Sequence, residues 1–167
     1  MHAQSLAFYE ANLAGLGPLD VVEFGSCDMN GTVRSVYPQA KSWHGVDLQP
    51  GPHVDEVADA ATWVSARKFG ICVCAEVFEH TPVWRGILSS ARLALLDGGL
   101  LVATCATGHR HPHSAVDGGP LRAGEFYENV DPDDMRYELD RQGWSFSTVQ
   151  VTDGYFGGDD LQVWAIR

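Results

Sequence analysis

Apolar and polar positions along the chain switch repeatedly between two periods. Short apolar runs that predict buried strands alternate with longer stretches that predict helices or turns, so the order reads as a mostly parallel sheet with helical crossovers. A first helix is expected over Ala3 to Leu13, ended by the break at Gly15-Leu16-Gly17-Pro18. The first strand is expected at Asp20 to Phe24, a helix from near Gly31 to just before Pro38, and a second strand at Ser42 to Asp47. A short strand near Val54 to Val57 and a helix over Ala60 to Arg67 lead to an apolar fourth strand at Gly70 to Ala75. Thr81 as N-cap, Pro82 in the first helical position and the stop at Gly98-Gly99 then mark a helix, followed by a fifth strand over Leu100 to Cys105.

The pattern lapses between Ala106 and Val130, a segment rich in His, Gly and Pro. A loop that long inside a compact domain points to a lid or an acceptor-binding loop. Asp131 then caps a helix with Pro132 in its first turn. Period-two alternation in Trp144 to Val151 and Leu161 to Arg167, joined by the glycine-rich TDGYFGGDD, predicts an antiparallel hairpin. The expected fold class is therefore α/β: a Rossmann-like open sheet, mostly parallel, with an antiparallel C-terminal hairpin. With 167 residues and no repeat or linker, a single domain over 1–167 is expected.

Composition narrows the partners. The chain carries 22 acidic against 11 basic residues, a formal net charge of −11, and its basic residues form no stripe. That balance disfavours nucleic acid and an anionic membrane surface. No apolar run is long enough to cross a bilayer, and the N-terminus has neither a basic nor a continuous apolar signal region, so a cytoplasmic location is expected. Cys72 and Cys74 alternate on one strand face and, with Cys27 and Cys105, read as small reduced hydrophobes rather than a disulfide or zinc framework.

Candidate chemistry gathers at the predicted strand ends. Ligands of open α/β sheets bind beyond the carboxyl ends of the strands, where strand order reverses. Those ends carry Glu23-Phe24-Gly25, Asp47, Asp59 and Glu76, and Gly25 and Gly31 supply permissive backbone at the first turn. Asp47 lies about 20 residues past that turn, where an acid can hold a ribose diol. The spacing also suits a dinucleotide, but the G-x-G-x-x-G fingerprint has Cys27 and Asn30 in place of its second and third glycines. Asp28 would moreover sit near a pyrophosphate, and two like charges about 4 Å apart repel by roughly 4 kcal/mol at an intermediate dielectric. A phosphate-free ligand with a positive centre removes that objection.

The same segments resemble class I S-adenosylmethionine-dependent methyltransferases, in particular the compact type 11 group. VVEFGSCDMNG is similar to the family's first motif, GVDLQP to the ribose-acid motif and VADAA to the adenine-side segment. ICVCAEVFEHTP is similar to the strand-four motif, and LLDGGLLVATC to the helix-glycine-strand element that follows. The chain departs from the pattern at Cys27, where the family has a second glycine. The later part of the long loop resembles compact phage and bacterial methyltransferase-like proteins. The resemblance implies S-adenosylmethionine as cofactor. It implies that Glu23 and Gly25 shape the pocket for the amino acid end, that Ser26, Asp28 and Asn30 also belong to the cofactor site, and that Asp47 binds the ribose with Leu48 beside the adenine. Asp59 and Ala60 would meet the adenine edge, and Glu76 would lie beside the ligand.

Methyl transfer needs an acceptor held in line with the methyl group and, for oxygen or nitrogen acceptors, a base. His113, Tyr127 and His80 are the candidates. The alternating His109, His111 and His113 have no fixed geometry in a loop, so no metal site is expected. The Asp/Asn/Ser-Pro-Pro-aromatic motif of amino-type DNA methyltransferases is absent from AEVFEH, which leaves a small-molecule acceptor as the expected partner. Two alternatives use the same pocket: an adenosyl-binding module without methyl transfer, and a cofactor-cleaving or NAD-linked enzyme.

Overall fold

A computed structural model describes residues 3–153 and 159–167. Seven strands form one sheet: β1 (Asp20–Phe24), β2 (Ser42–Asp47), β3 (Glu56–Val57), β4 (Phe69–Ala75), β5 (Leu95–Thr107), β6 (Phe146–Asp153) and β7 (Asp159–Ile166). Their order is β3-β2-β1-β4-β5-β7-β6. The first five run parallel, and β7 inserts antiparallel between β5 and β6. The predicted Rossmann-like sheet and its antiparallel terminal pair are thus present. The turn between β6 and β7 falls at residues 154–158, outside the described residues.

Strand chemistry explains the order. From Phe69 to Cys74 every residue of β4 is buried, as a parallel strand covered on both faces requires. Alternation then sorts its side chains. Ile71 and Val73 face a core with Val21, Val102, Tyr9 and Leu13, beneath α1 (Ala3–Leu13). Cys72 and Cys74 face the opposite core with Phe24, Leu101 and Cys105, beneath α2 (Trp84–Ala94) and α3 (Pro132–Arg141). Tyr9 anchors α1 by donating its hydroxyl to the Cys74 carbonyl at 3.1 Å.

Three expected helical features differ. The segment before Pro38 contracts to a four-residue 3-10 helix, Val33–Val36, capped by the Thr32 hydroxyl. Proline disfavours the α conformation in the preceding Tyr37, whose φ of −133° and ψ of 61° end the turn. Ala60 to Arg67 forms a turn, not a helix: the Asp59 carboxylate accepts from the Ala61 amide at 2.9 Å. Trp63 then covers the sheet face itself, edge-on to Phe24 with ring centres 5.5 Å apart. The β-branched and hydroxylated residues in that segment favour this outcome over a helix.

Thr81 is not the N-cap of α2. It is extended, at φ −146° and ψ 134°, as a residue preceding proline prefers, and its hydroxyl accepts from the Val83 amide. Helix α2 begins only at Trp84 and ends at Ala94, because Leu95 already pairs with Phe69 as the start of β5. The cap at Asp131 is as expected, its carboxylate accepting from the Asp133 and Asp134 amides.

Beyond Thr107 the long segment up to Val130 holds no helix or strand, yet it is tied down at several points. Val130 donates its amide to the Ala106 carbonyl, Glu128 to the Glu79 carbonyl, and Asn30 its side-chain amide to the Val116 carbonyl at 3.2 Å. Arg110 pairs with Asp160 of β7, both side chains buried. No helix among the described residues is long and apolar enough to cross a membrane.

Candidate active site

The chain leaves β1 outward to β2 and β3 and returns to β4 on the other side of β1, so strand order reverses between β1 and β4. Phe24 lies opposite Val46 on one side and Cys74 on the other. Gly25, Asp47 and Glu76 therefore emerge together at one edge of the sheet. Gly25 adopts φ +70°, and a Cβ there would lie 2.3 Å from a methyl of Val77. Only glycine allows the β1 turn and the β4 turn to touch in this way.

The β1 turn is organised by carboxylates. Asp47 accepts from the Cys27 amide and from the Gln49 amide, both at 3.0 Å, which fixes its side chain at the tip of β2. Asp28 closes its own turn by accepting from the Gly31 amide at 2.9 Å, and its other oxygen stands 4.0 Å from the His53 ring. Ser26 is buried against Gly45, and its hydroxyl has no partner among the described residues. Leu48 is exposed, and Asn30 reaches the long loop through the Val116 carbonyl. Asp59 and Ala60 follow β3, and Ala58 donates its amide to the Asp47 carbonyl.

Glu23 lies beneath this turn, buried and paired with Arg34 at 2.8 Å. Burial pushes its carboxyl up to about 7; the Arg34 guanidinium pulls the other way, and Asp28 and Asp47 add to the rise. At the tip of β4, Glu76 is held at φ +56° and accepts from the Ser5 hydroxyl of α1 at 3.2 Å. A non-glycine residue in that region is strained by about 1–3 kcal/mol, and such strain clusters at functional positions. An edge that presents Asp28, Asp47 and Glu76 repels phosphate and favours a cationic or hydroxyl-rich ligand.

Further along the same edge, a second group assembles from distant parts of the chain. His80, His113 and Tyr127 pack ring against ring, with centres 5.1, 5.5 and 4.9 Å apart. The three residues proposed from sequence as acceptor-side candidates thus share one cluster. Burial, with His113 beside it, lowers His80 to about 4, so its ring is neutral at neutral pH. Tyr127 is raised, first by burial and then by Glu79 nearby, and it donates its hydroxyl to Asn129 at 2.9 Å.

Beneath the cluster lies Glu79, to which sequence reading assigned no role. It is fully buried. One oxygen accepts from the Ala106 amide at 3.1 Å, and the other has no partner among the described residues. Burial, reinforced by Glu76, holds its carboxyl well above the usual range. The available signal was its place between Phe78 and His80 in the strand-four motif, since an acid in an apolar context is seldom buried without purpose.

Two surface concavities lie elsewhere, one lined by Thr107, Asn129, Asp131 and Asp159 and the other by Arg85, Arg92 and Arg141. Neither includes the tips of β1, β2 or β4, whose chemistry marks the candidate site.

No family model and no curated protein matches the sequence. Solved structures do match its shape. The 1,6-didemethyltoxoflavin-N1-methyltransferase of Burkholderia thailandensis, solved with 1,6-didemethyltoxoflavin and S-adenosylhomocysteine, superposes with a TM-score of 0.71 at 14% identity, covering 98% of this chain and 78% of that one. An S-adenosylmethionine-dependent methyltransferase from Mesorhizobium loti gives 0.71 at 16% identity over 99% and 98% of the two chains. The N-methyltransferase NodS of Bradyrhizobium japonicum WM9, in complex with S-adenosyl-L-homocysteine, gives 0.66 at 17% identity over 98% and 84%. The fold is that of class I S-adenosylmethionine-dependent methyltransferases.

Proposed function

We propose that this protein transfers the methyl group of S-adenosylmethionine to a small-molecule acceptor held beneath the segment 106–130. The observation that carries the reading is Asp47, fixed at the tip of β2 by the Cys27 amide of the β1 turn, on an edge whose other carboxylates disfavour phosphate. Three features suit this cofactor. Gly25 lets the β1 and β4 turns meet closely, the buried Ser26 hydroxyl has no partner among the described residues, and Glu76 is held at a strained backbone angle at the tip of β4. When bound, the cofactor supplies an activated methyl group on a sulfonium.

The residues divide the work. Asp47 accepts from the ribose hydroxyls, using lone pairs not engaged by Cys27 and Gln49. Glu23, braced by Arg34, shapes the turn from below, while Gly25, Ser26, Asp28 and Asn30 set its path. Leu48 lies against the adenine, Asp59 and Ala60 meet its edge, and Glu76 lies beside the amino acid end. His80, His113 and Tyr127 line the acceptor side and orient the acceptor, with water excluded by the segment above. Similar folds in the two proteins with named activities act on small molecules or carry N-methyltransferase names, in keeping with such an acceptor.

Calorimetry with S-adenosylhomocysteine and with NAD tests the cofactor half. Tight binding of the first and none of the second is expected; the reverse overturns the reading. Transfer of labelled methyl from the cofactor to a small-molecule fraction of cell extract tests the chemical half. Binding without any transfer would leave an adenosyl-binding module instead.

A further inference from the structure

The geometry points to a divalent transition-metal site formed by Glu79, His80 and His113. One ligand atom from each residue lies within 4.8 Å of those of the other two. This trio differs from the alternating loop histidines, for only His113 belongs to both sets. Its members come from two separate segments, the 3-10 turn Phe78–His80 after β4 and the long loop.

Two observations beyond proximity indicate a cation. Among the described residues, Glu79 is completely buried with one oxygen unpartnered, and the Nδ1 of His80 is likewise buried without a partner. Buried polar atoms are normally satisfied, and two orphaned atoms on residues whose ligand atoms gather this closely are what a missing shared partner leaves behind. The second observation lies in how His113 is held. Its Nδ1 sits 3.1 Å from the His111 carbonyl, so the tautomer that donates there frees Nε2 as a lone pair. Histidine ligands are commonly held in this way, by a carbonyl on the far nitrogen.

Two imidazoles and a carboxylate suit Zn2+ or another first-row divalent ion and leave a coordination position open. Tetrahedral bonds of about 2.1 Å place ligand atoms about 3.4 Å apart, so the ion draws the three inward by about 1 Å. His113, half-buried on the loop, is the residue free to make that movement. Tyr127 lines the open side with its hydroxyl turned away to Asn129. If the methyltransferase reading holds, the open position faces the acceptor. The ion would then bind the acceptor's oxygen or nitrogen and acidify it, with His113 a ligand rather than a base.

The test uses the full chain, stripped with chelator and free of any histidine tag, and needs no S-adenosylmethionine, so its failure is separate from failure of the cofactor reading. Titration with Zn2+ followed by calorimetry is expected to show one ion per chain. His113→Ala and His80→Ala should each weaken binding by at least roughly 10–100-fold, while His109→Ala and His111→Ala leave it unchanged. Co2+ added to the unaltered protein should develop visible absorption bands that Zn2+ abolishes, a readout that depends on no variant. Absence of Zn2+ binding to the unaltered protein overturns the site. So does binding that survives His113→Ala, or binding weakened equally by His109→Ala and His111→Ala, which would mean that the loop chelates by itself.

Discussion

The two halves of the crevice are built on opposite principles. At the β1–β2 side the carboxylates are engaged by nearby backbone: Asp47 by Cys27 and Gln49, Asp28 by Gly31, Asp59 by Ala61. At the β4–β5 side Glu79, His80, His113 and Tyr127 meet from distant stretches, and two of their buried polar atoms have no partner among the described residues. A turn whose carboxylates are engaged holds its shape before any ligand arrives, even with the buried Ser26 hydroxyl unpartnered among the described residues, which suits a cofactor common to many acceptors. An unsatisfied cluster keeps its hydrogen-bonding and ligating capacity for something that is not protein. In the proposed reading, preorganisation therefore lies on the first side and selectivity on the second.

The contrast can be broken most severely at Gly25. Gly25→Ala forces a left-handed alanine and drives its Cβ into Val77, where the separation would be 2.3 Å. A loss of roughly 2–5 kcal/mol is expected from backbone strain and overpacking together, read as a lowered midpoint in urea denaturation. Unchanged stability would mean that the β1 and β4 turns are not in contact.

Glu23 offers the next largest effect. With its carboxyl raised to about 7 in the fold, against an ordinary value of 4.5, the native state binds the proton more tightly than the unfolded chain. Stability from this group is present below about 4.5 and is lost as pH rises through 7, by on the order of 3 kcal/mol. Glu23→Gln should flatten the stability profile across that window, whatever it does to absolute stability. A profile as steep as that of the unaltered protein would refute the assignment.

Asp47→Ala removes the acceptor for a ribose diol and should weaken S-adenosylhomocysteine by about 1–3 kcal/mol in calorimetry. Equal affinity in that variant would move the cofactor elsewhere. The smallest change expected is at Asn30, which joins the turn to the long loop through the Val116 carbonyl. Asn30→Ala should cost about 0.5–1.5 kcal/mol and hasten proteolytic cutting within 108–119. Cutting at an unaltered rate would show that this bond does not hold the loop.

Helices were the least legible features in the sequence, for reasons visible at particular residues. Thr81-Pro82 carries the usual signs of a helix start, and the Thr81 hydroxyl does accept from the Val83 amide, but that bond closes a turn and the helix begins only at Trp84. Ala60 to Arg67 has room for a helix, but Trp63 gains more by lying over Phe24 than the segment would by coiling. The strand-tip acids were legible because each belongs to a short local motif. Glu79 was not, since its importance lies in an oxygen left without a partner, and no neighbour in the sequence signals that.

From its sequence alone this chain determined the strands, the faces their side chains occupy, the glycine turn and the acids at the strand ends. All of these follow from periodicity and backbone rules that act over a few residues. Only the tertiary structure decided that β7 lies between β5 and β6, that Gly25 touches Val77, and that His113 and Tyr127 fold back onto His80 and Glu79. Those contacts close loops of tens of residues, and what selects them is the burial and packing of the whole sheet rather than any local preference.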